Sequence, residues 1–144
     1  FDALKNEKYH PFIIETSTGL NRLFLMVLCE SYYEDVKNDR TVLKLPFDLA
    51  PNKIVICPLL KKDGLPEKAK EIFDLINSTH KCVYDQQGSI GKRYYRQDEA
   101  GTPFGITIDH ETLEDNSITI RERDSMEQHR IPVDNILKFI SENK

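Results

Sequence analysis

The sequence predicts an α/β fold in which a mixed five-stranded sheet is flanked by helices and is preceded by a separate strand and helix. Three observations support this fold class. Residues 54–57 are an unbroken apolar, mostly β-branched run, typical of a strand buried on both faces of a parallel sheet. Helical and extended patterns alternate after that run, and the last extended segments alternate apolar with polar residues as antiparallel strands do. The 144 residues suffice for one hydrophobic core with some attached chain.

Composition and charge are those of an ordinary globular protein, with 39% hydrophobic and 31% charged residues. The formal charge of -4 argues against non-specific coating of nucleic acid or of an anionic membrane, but it leaves a local basic patch open. The longest apolar run, 23–29, is far shorter than the ~20 residues of a bilayer span, so no membrane partner is expected. Cys29, Cys57 and Cys82 form no CxxC pair, which predicts reduced, buried thiols and a cytoplasmic location.

The N-terminal part predicts a short strand at 12–14 and a helix from Leu20 to about Asp35. Apolar residues cover almost every face of this helix, which indicates burial on all sides. A polar stretch and two prolines then predict a linker over 37–51. The chain begins at Phe1 rather than at a methionine, so we expect a piece of a longer protein.

A βαβ unit is predicted after the linker. The strand at 54–57 is followed by a helix that opens at Gly64-Leu65-Pro66 and has one apolar stripe, and then by a strand at 82–84. Such a crossover between parallel strands is right-handed. Ser89 is the expected N-cap of a second helix, which Gly101 should end.

The remaining elements are antiparallel strands and a last helix. Strands are predicted at 104–109, at 117–123 and at about 128–131, with a turn over 113–116 between the first two. Asp134 is the expected cap of the final helix.

Several motifs with possible chemistry fail on spacing. The stretch Gly88-Ser89-Ile90-Gly91-Lys92 superficially suggests a phosphate loop, but Gln86 stands where a Walker A loop has glycine, and Arg93 where it has serine or threonine. The four histidines are scattered and no cysteine pair lies near them, so no metal site is predicted. No nucleophile with a neighbouring base is visible, although such triads are rarely sequence neighbours.

The strongest local signal is a basic cluster on the second helix, made of Lys92, Arg93 and Arg96. Like charges at this spacing cost a few tenths of a kcal/mol per pair, so a compensating partner is expected. Two explanations stay open: neutralisation within the helix by Asp98 and Glu99, or an anion or nucleic acid bound at the helix start. The second is favoured because the helix dipole already disfavours cations there and Gly91 removes side-chain bulk.

Four stretches in order make the sequence recognisable: HPFIIETSTGLNRLFLMVLCESYYED, LKLPFDLAPNKIVICPLLKKDGLPEKAKEIF, GSIGKRYYRQDEAGTPFGITIDHETLEDN and ITIRERDSMEQHRIP. Over almost the whole chain they resemble the C-terminal end of the homodimeric type of glycyl-tRNA synthetase, a class IIa aminoacyl-tRNA synthetase. The resemblance implies that residues 1–43 are a strand-helix remnant of the class II catalytic domain with its third motif and a linker. Residues 44–144 are then the anticodon-binding domain.

By the same resemblance, Glu15 and Ser17 would bind the glycine substrate and Arg22 would contact ATP. In the anticodon-binding domain, four residues match positions that approach the anticodon, namely Lys92, Thr107, His110 and Arg123, and Arg93 is a neighbouring candidate. Many relatives have arginine where Lys92 stands and an aromatic residue where His110 stands, which weakens these two assignments. We expect the first four side chains to converge in one pocket for unstacked cytosines.

The implied function is that of the C-terminal part of a glycine-tRNA ligase, whose partner is the anticodon arm of tRNA(Gly). The parent enzyme would use ATP and Mg²⁺ to attach glycine to tRNA and would act as a cytoplasmic homodimer, whereas this fragment alone should be inactive. The alternative is a non-catalytic, synthetase-like module that binds other RNAs or proteins. The apolar helix, deprived of a catalytic core, should pack against the module, pair with another copy or be poorly ordered.

Overall fold

A five-stranded mixed sheet dominates the computed structural model, which describes residues 1–144, and the predicted fold class is confirmed. The helices are α1 (Leu20–Ser31), α2 (Leu65–Asn77), α3 (Ile90–Glu99), α4 (His110–Asp115) and α5 (Ile136–Asn143). The strands are β1 (Tyr32–Asp35), β2 (Arg40–Leu43), β3 (Ile54–Pro58), β4 (Cys82–Tyr84), β5 (Phe104–Ile108), β6 (Ser117–Glu122) and β7 (Gln128–Pro132). No helix is both long enough and apolar enough to span a bilayer.

The sheet has the order β4-β3-β5-β6-β7. Strand β3 runs parallel to β4 and β5, whereas β6 runs antiparallel to both of its neighbours, β5 and β7. The three parallel strands therefore finish at the same end of the sheet, which we call the carboxyl edge. Strand β6 begins at this edge, because it is antiparallel to β5 and Thr119 near its start pairs with Thr107 near the end of β5.

One face of the sheet forms the hydrophobic core. Its completely buried side chains come from alternate positions of the three central strands: Ile54, Ile56, Ile106, Ile108, Ile118 and Ile120. Helices α2 and α5 cover them with their own apolar stripes, which include Ile72 and Ile140. Burying each such side chain contributes about 1.5–3 kcal/mol, so this layer explains why a short chain folds. Burial also raises the pKa of the Cys57 and Cys82 thiols to about 12, and both stay protonated.

The opposite face is covered by α3, which approaches closely because Gly105 has no side chain. A Cβ atom at Gly105 would lie 2.4 Å from Cε1 of Tyr94, so the tyrosine ring occupies the space that a side chain would need. The Tyr94 hydroxyl is hydrogen-bonded to the Thr107 hydroxyl two residues further along β5. Burial raises the pKa of Tyr94 to about 12, which keeps this hydroxyl neutral.

The region predicted as a linker is partly structured, which corrects the prediction. Helix α1 ends at Ser31 rather than near Asp35, and β1 and β2 form an antiparallel hairpin in which Asp35 faces Arg40. Arg40 Nε donates to Asp35 Oδ2 at 2.8 Å, and both side chains are buried. This ion pair, together with a turn at Asp39 with φ of 49°, closes the hairpin.

The first nineteen residues contain no helix or strand, so the strand predicted at 12–14 is wrong. Phe12, Ile13 and Ile14 are exposed, and the backbone there pairs with no neighbouring strand. Helix α1 is also largely exposed, contrary to the prediction of burial on all sides, and it packs along one side against the module.

Three smaller predictions also differ from the structure. Cys29 is exposed on α1, because that helix is covered on one side. The residues predicted as a turn at 113–116 form the end of α4 and its C-cap. The N-cap of α5 is Asn135 rather than the predicted Asp134, because a 3-10 turn at Val133–Asn135 precedes the helix.

Candidate nucleic-acid interface

Two predicted site residues, Lys92 and His110, are exposed at the carboxyl edge. Lys92 stands in the first turn of α3, which follows β4, and His110 is the first residue of α4, which follows β5. In open α/β sheets, ligands bind in the crevice outside the carboxyl ends of the strands. This edge is therefore the place where the topology favours a binding surface.

Hydrogen bonds from α3 restrain the loop 85–89, which connects β4 to α3. Arg93 donates from Nε and Nη2 to the Gly88 carbonyl oxygen at 3.1 and 2.7 Å. Its Nη1 donates to the Pro58 carbonyl oxygen at 2.6 Å, at the end of β3. Asp85 accepts from Arg96 Nη1 at 2.5 Å and from the Gln87 amide at 2.9 Å. The loop is thus preorganised, with the Gln87 side chain exposed beside it.

These contacts divide the basic cluster of α3 into two parts. Arg93 is 3% exposed and its guanidinium donates hydrogen bonds to backbone carbonyl oxygens, so this side chain has a structural role. Arg96 is neutralised by Asp85, not by the residues of its own helix that the sequence suggested. Lys92 makes no ion pair or side-chain hydrogen bond, and it is the cation of this cluster that is free to bind an anion.

The position of His110 is fixed by a capping box at the start of α4. Asp109 Oδ1 accepts from the Thr112 amide at 3.0 Å, and the Thr112 hydroxyl accepts from the Asp109 amide at 3.1 Å. Arg130 Nη1 donates to Asp109 Oδ2 at 2.5 Å. Burial by itself would raise the pKa of Asp109, but Arg130 and Thr112 outweigh it and lower the pKa below its ordinary value. The carboxylate therefore stays charged and caps α4, and His110, the first residue of this helix, is held at the surface.

Thr107 and Arg123 do not reach this surface. Thr107 is buried beneath α3, where its hydroxyl contacts that of Tyr94. The Arg123 amide donates to the carbonyl oxygen of Pro103, just before β5. Pro103 lies four residues before Thr107, which separates the two residues by about 13 Å at ~3.3 Å per residue along a strand. Arg123 Nη1 donates to three carbonyls, those of Leu43, Leu45 and Gly101, and Asp124 accepts from Nε and Nη2.

The expected convergence of Lys92, Thr107, His110 and Arg123 in one pocket is therefore wrong. Arg123 lies at the opposite end of the sheet because β6 is antiparallel to β5, so the end of β6 returns to the start of β5. The roles assigned to Thr107 and Arg123 stay predictions that the contacts of these side chains do not support.

Glu15, Ser17 and Arg22 also lack a common site. All three are exposed, none makes a side-chain hydrogen bond, and the first two belong to the segment without regular structure. The structure leaves no buried side-chain polar atom without a partner, here or elsewhere. No group of three or more His, Cys, Asp or Glu side chains is arranged to hold a metal ion.

A buried ion network on the inner side of α3 escaped the sequence analysis. Asp98 accepts from Arg40 Nη1 at 2.7 Å and from Arg121 Nη1 and Nη2 at 2.9 and 3.0 Å. The Asp98 side chain is 2% exposed, and those of Arg40 and Arg121 are 2% and 6% exposed. This network joins the hairpin to α3 and β6, across the predicted domain boundary at residue 43.

The amides of Gln86 and Gln87 were also missed. They are the second and third residues after the end of the parallel strand β4, and this position in an open sheet is the signal that could have identified them. Gln86 lines a cleft beside β4 that is described below.

An open, mixed sheet with polar loops and a free cation at its carboxyl edge defines a binding module of the α/β class. A family profile described as "Anticodon binding domain" matches residues 53–143, and the chain belongs to this family. The match covers the whole of the five-stranded sheet and the helices that flank it.

Curated proteins of several bacteria are similar to almost the entire chain. A glycine-tRNA ligase of Treponema denticola is 54% identical over 134 residues, which are 88% of this chain and 30% of that protein. Glycine-tRNA ligases of Rhodopirellula baltica and Clostridium tetani are 46% and 49% identical, over 96% and 98% of this chain. The chain spans 27% and 31% of their respective lengths, so it corresponds to about a third of such a protein.

Proposed function

We propose that this chain is the C-terminal part of a glycine-tRNA ligase and that residues 44–144 bind the anticodon arm of tRNA(Gly). The observation that carries this proposal is the family match over 53–143, which contains the exposed Lys92 and His110 at the carboxyl edge. The similarity to glycine-tRNA ligases extends into the N-terminal residues as well, which favours this function over a general interaction module.

The exposed side chains suit a single-stranded loop. An ammonium group such as that of Lys92 donates to phosphate oxygens and to base acceptors, and an imidazole such as that of His110 offers a face for an unstacked base. By the genetic code, the second and third anticodon bases of glycine tRNAs are cytosines. Because the loop 85–89 and α4 are already restrained by hydrogen bonds, little conformational entropy is lost when the RNA binds.

The whole enzyme would attach glycine to tRNA with ATP and Mg²⁺, as a cytoplasmic homodimer. Glu15, Ser17 and Arg22 do not by themselves fit ATP or glycine, since they are exposed and do not converge. We therefore assign no step of the reaction to them, and we expect the isolated chain to be inactive in aminoacylation. Its partners in the reaction would come from the remainder of the parent protein.

The decisive experiment compares two anticodon stem-loops, that of tRNA(Gly) and one with both cytosines replaced. We expect each replacement to cost about 1–3 kcal/mol of binding free energy, the scale known for base readout in DNA grooves. Isothermal titration calorimetry at constant salt would measure it. Equal affinities for the two RNAs would instead support the non-catalytic interaction module, and no binding to either would refute both.

A further inference from the structure

A cleft of about 470 Å³ lies between α2 and the end of the edge strand β4. Its lining residues are Pro66, Glu67, Lys70, Phe73, Tyr84 and Gln86. The volume falls within the ~300–1,000 Å³ range of small-ligand pockets. Neither the predicted anticodon residues nor the ion networks belong to this cleft.

The cleft combines an aromatic floor with polar walls. Phe73 and Tyr84 pack against the core on one side and are partly exposed on the other. Burial first, and then the nearby Glu67 carboxylate, raise the pKa of Tyr84, so its hydroxyl stays protonated and donates to Gln86 Oε1 at 3.3 Å. The Gln86 amide nitrogen has no protein acceptor, and Lys70 makes no ion pair or hydrogen bond.

The cleft adjoins the loop 85–89 at the carboxyl edge, because Gln86 belongs to both. Gln86 belongs to the same restrained loop as Gln87, and Lys92 is in the helix that this loop begins. A single-stranded RNA that contacts Lys92 and His110 would therefore reach the cleft by extending along this loop.

We propose that the cleft holds one unstacked nucleotide of the RNA that lies on the carboxyl edge, with its base against Phe73 and Tyr84 and its phosphate toward Lys70. This inference rests on the proposed function, because it assumes that RNA occupies the edge. Aromatic side chains stack on any base, so the polar groups set the preference. The Gln86 amide donates to a base acceptor and the Glu67 carboxylate accepts from an exocyclic amine, which favours cytosine, adenine or guanine over uracil.

Nuclear magnetic resonance of the ¹⁵N-labelled chain tests this directly. The anticodon stem-loop is titrated in, and the side-chain amide of Gln86 is followed together with the backbone amides of Lys70, Lys92 and His110. We expect all four sites to shift with one binding curve. Shifts at Lys92 and His110 without shifts at Gln86 and Lys70 would overturn the proposal that a nucleotide occupies the cleft, and would leave the proposed function standing. No shift at any site would overturn the proposed function and this inference with it.

Variants give an independent measurement on the same chain. Lys70→Ala and Gln86→Ala should each weaken stem-loop binding by about 5- to 10-fold, the scale of one lost hydrogen bond. Lys81→Ala removes an exposed cation at the opposite end of the sheet and should leave affinity unchanged. Since these side chains lie at the surface, equal urea midpoints should show that folding is retained. Unchanged affinity of both cleft variants would contradict the proposal.

Discussion

The two sides of α3 use charge in opposite ways. On the inner side, Asp98 is enclosed with Arg40 and Arg121, and their donors and acceptors satisfy one another away from water. At the carboxyl edge, Lys92 has no partner in the chain and is open to solvent. The difference shows that a cluster of charges in one helix is not one functional unit, since burial and partner decide the role of each residue.

The largest expected effect on stability comes from disrupting the buried ion network around Asp98. Asp98→Ala leaves the buried Arg121 guanidinium without a carboxylate and removes one of the two carboxylates that pair with Arg40. Removing one partner from a buried ion network costs about 3–5 kcal/mol. Urea unfolding followed by circular dichroism would measure this loss in the free energy of unfolding. Asp74→Ala, which removes an exposed carboxylate of α2 without a partner, is the matched control and should stay within about 0.5 kcal/mol of the native chain. Similar unfolding curves for both variants would contradict the structural role of the network.

The buried Arg93 and the exposed Lys92, which are adjacent in α3, allow a sharper comparison of a structural with a binding charge. Arg93→Ala leaves the Gly88 and Pro58 carbonyls unpaired and should cost about 1–3 kcal/mol of stability. Lys92→Ala should leave stability unchanged, but it should weaken RNA binding and reduce the slope of log affinity against log salt by about 0.7 if it contacts one phosphate. Stability measured by urea and affinity measured at several salt concentrations separate the two effects. The reverse result, with Lys92 needed for folding, would refute the division of the cluster.

The smallest expected effect concerns acid. The folded pKa of Asp109 lies below its ordinary value, so the stability it contributes is complete above the unfolded pKa of about 3.9 and is lost as pH falls through the folded value. Asp109→Asn should therefore lower the melting temperature near neutral pH and lower it less, or not at all, at about pH 2. Thermal unfolding at the two pH values would measure this. A difference between native chain and variant that does not change with pH would contradict it.

Sequence reasoning succeeded where the signals are local. The run at 54–57 gave a buried strand, Ser89 stands at the start of α3, and Gly101 follows its end with φ of +80°. It failed for the hairpin, because prolines further along the chain suggested a linker while the ion pair between Asp35 and Arg40 was not visible as a pattern. Its candidates for binding the anticodon included Lys92 and His110, which are exposed in the structure, but also Arg123, which is buried at the other end of the sheet.

The amino-acid sequence by itself determined the class of fold and the family resemblance, because apolar periodicity, helix boundaries and ordered motifs are properties of neighbouring residues. Only the tertiary structure decided which charged residues remain available for binding. Arg93 meets the carbonyl of Pro58 from 35 residues away, and Arg123 meets that of Leu45 from 78 residues away. Such partners are brought together by packing of the sheet and α3, and a buried guanidinium must find acceptors wherever the fold provides them.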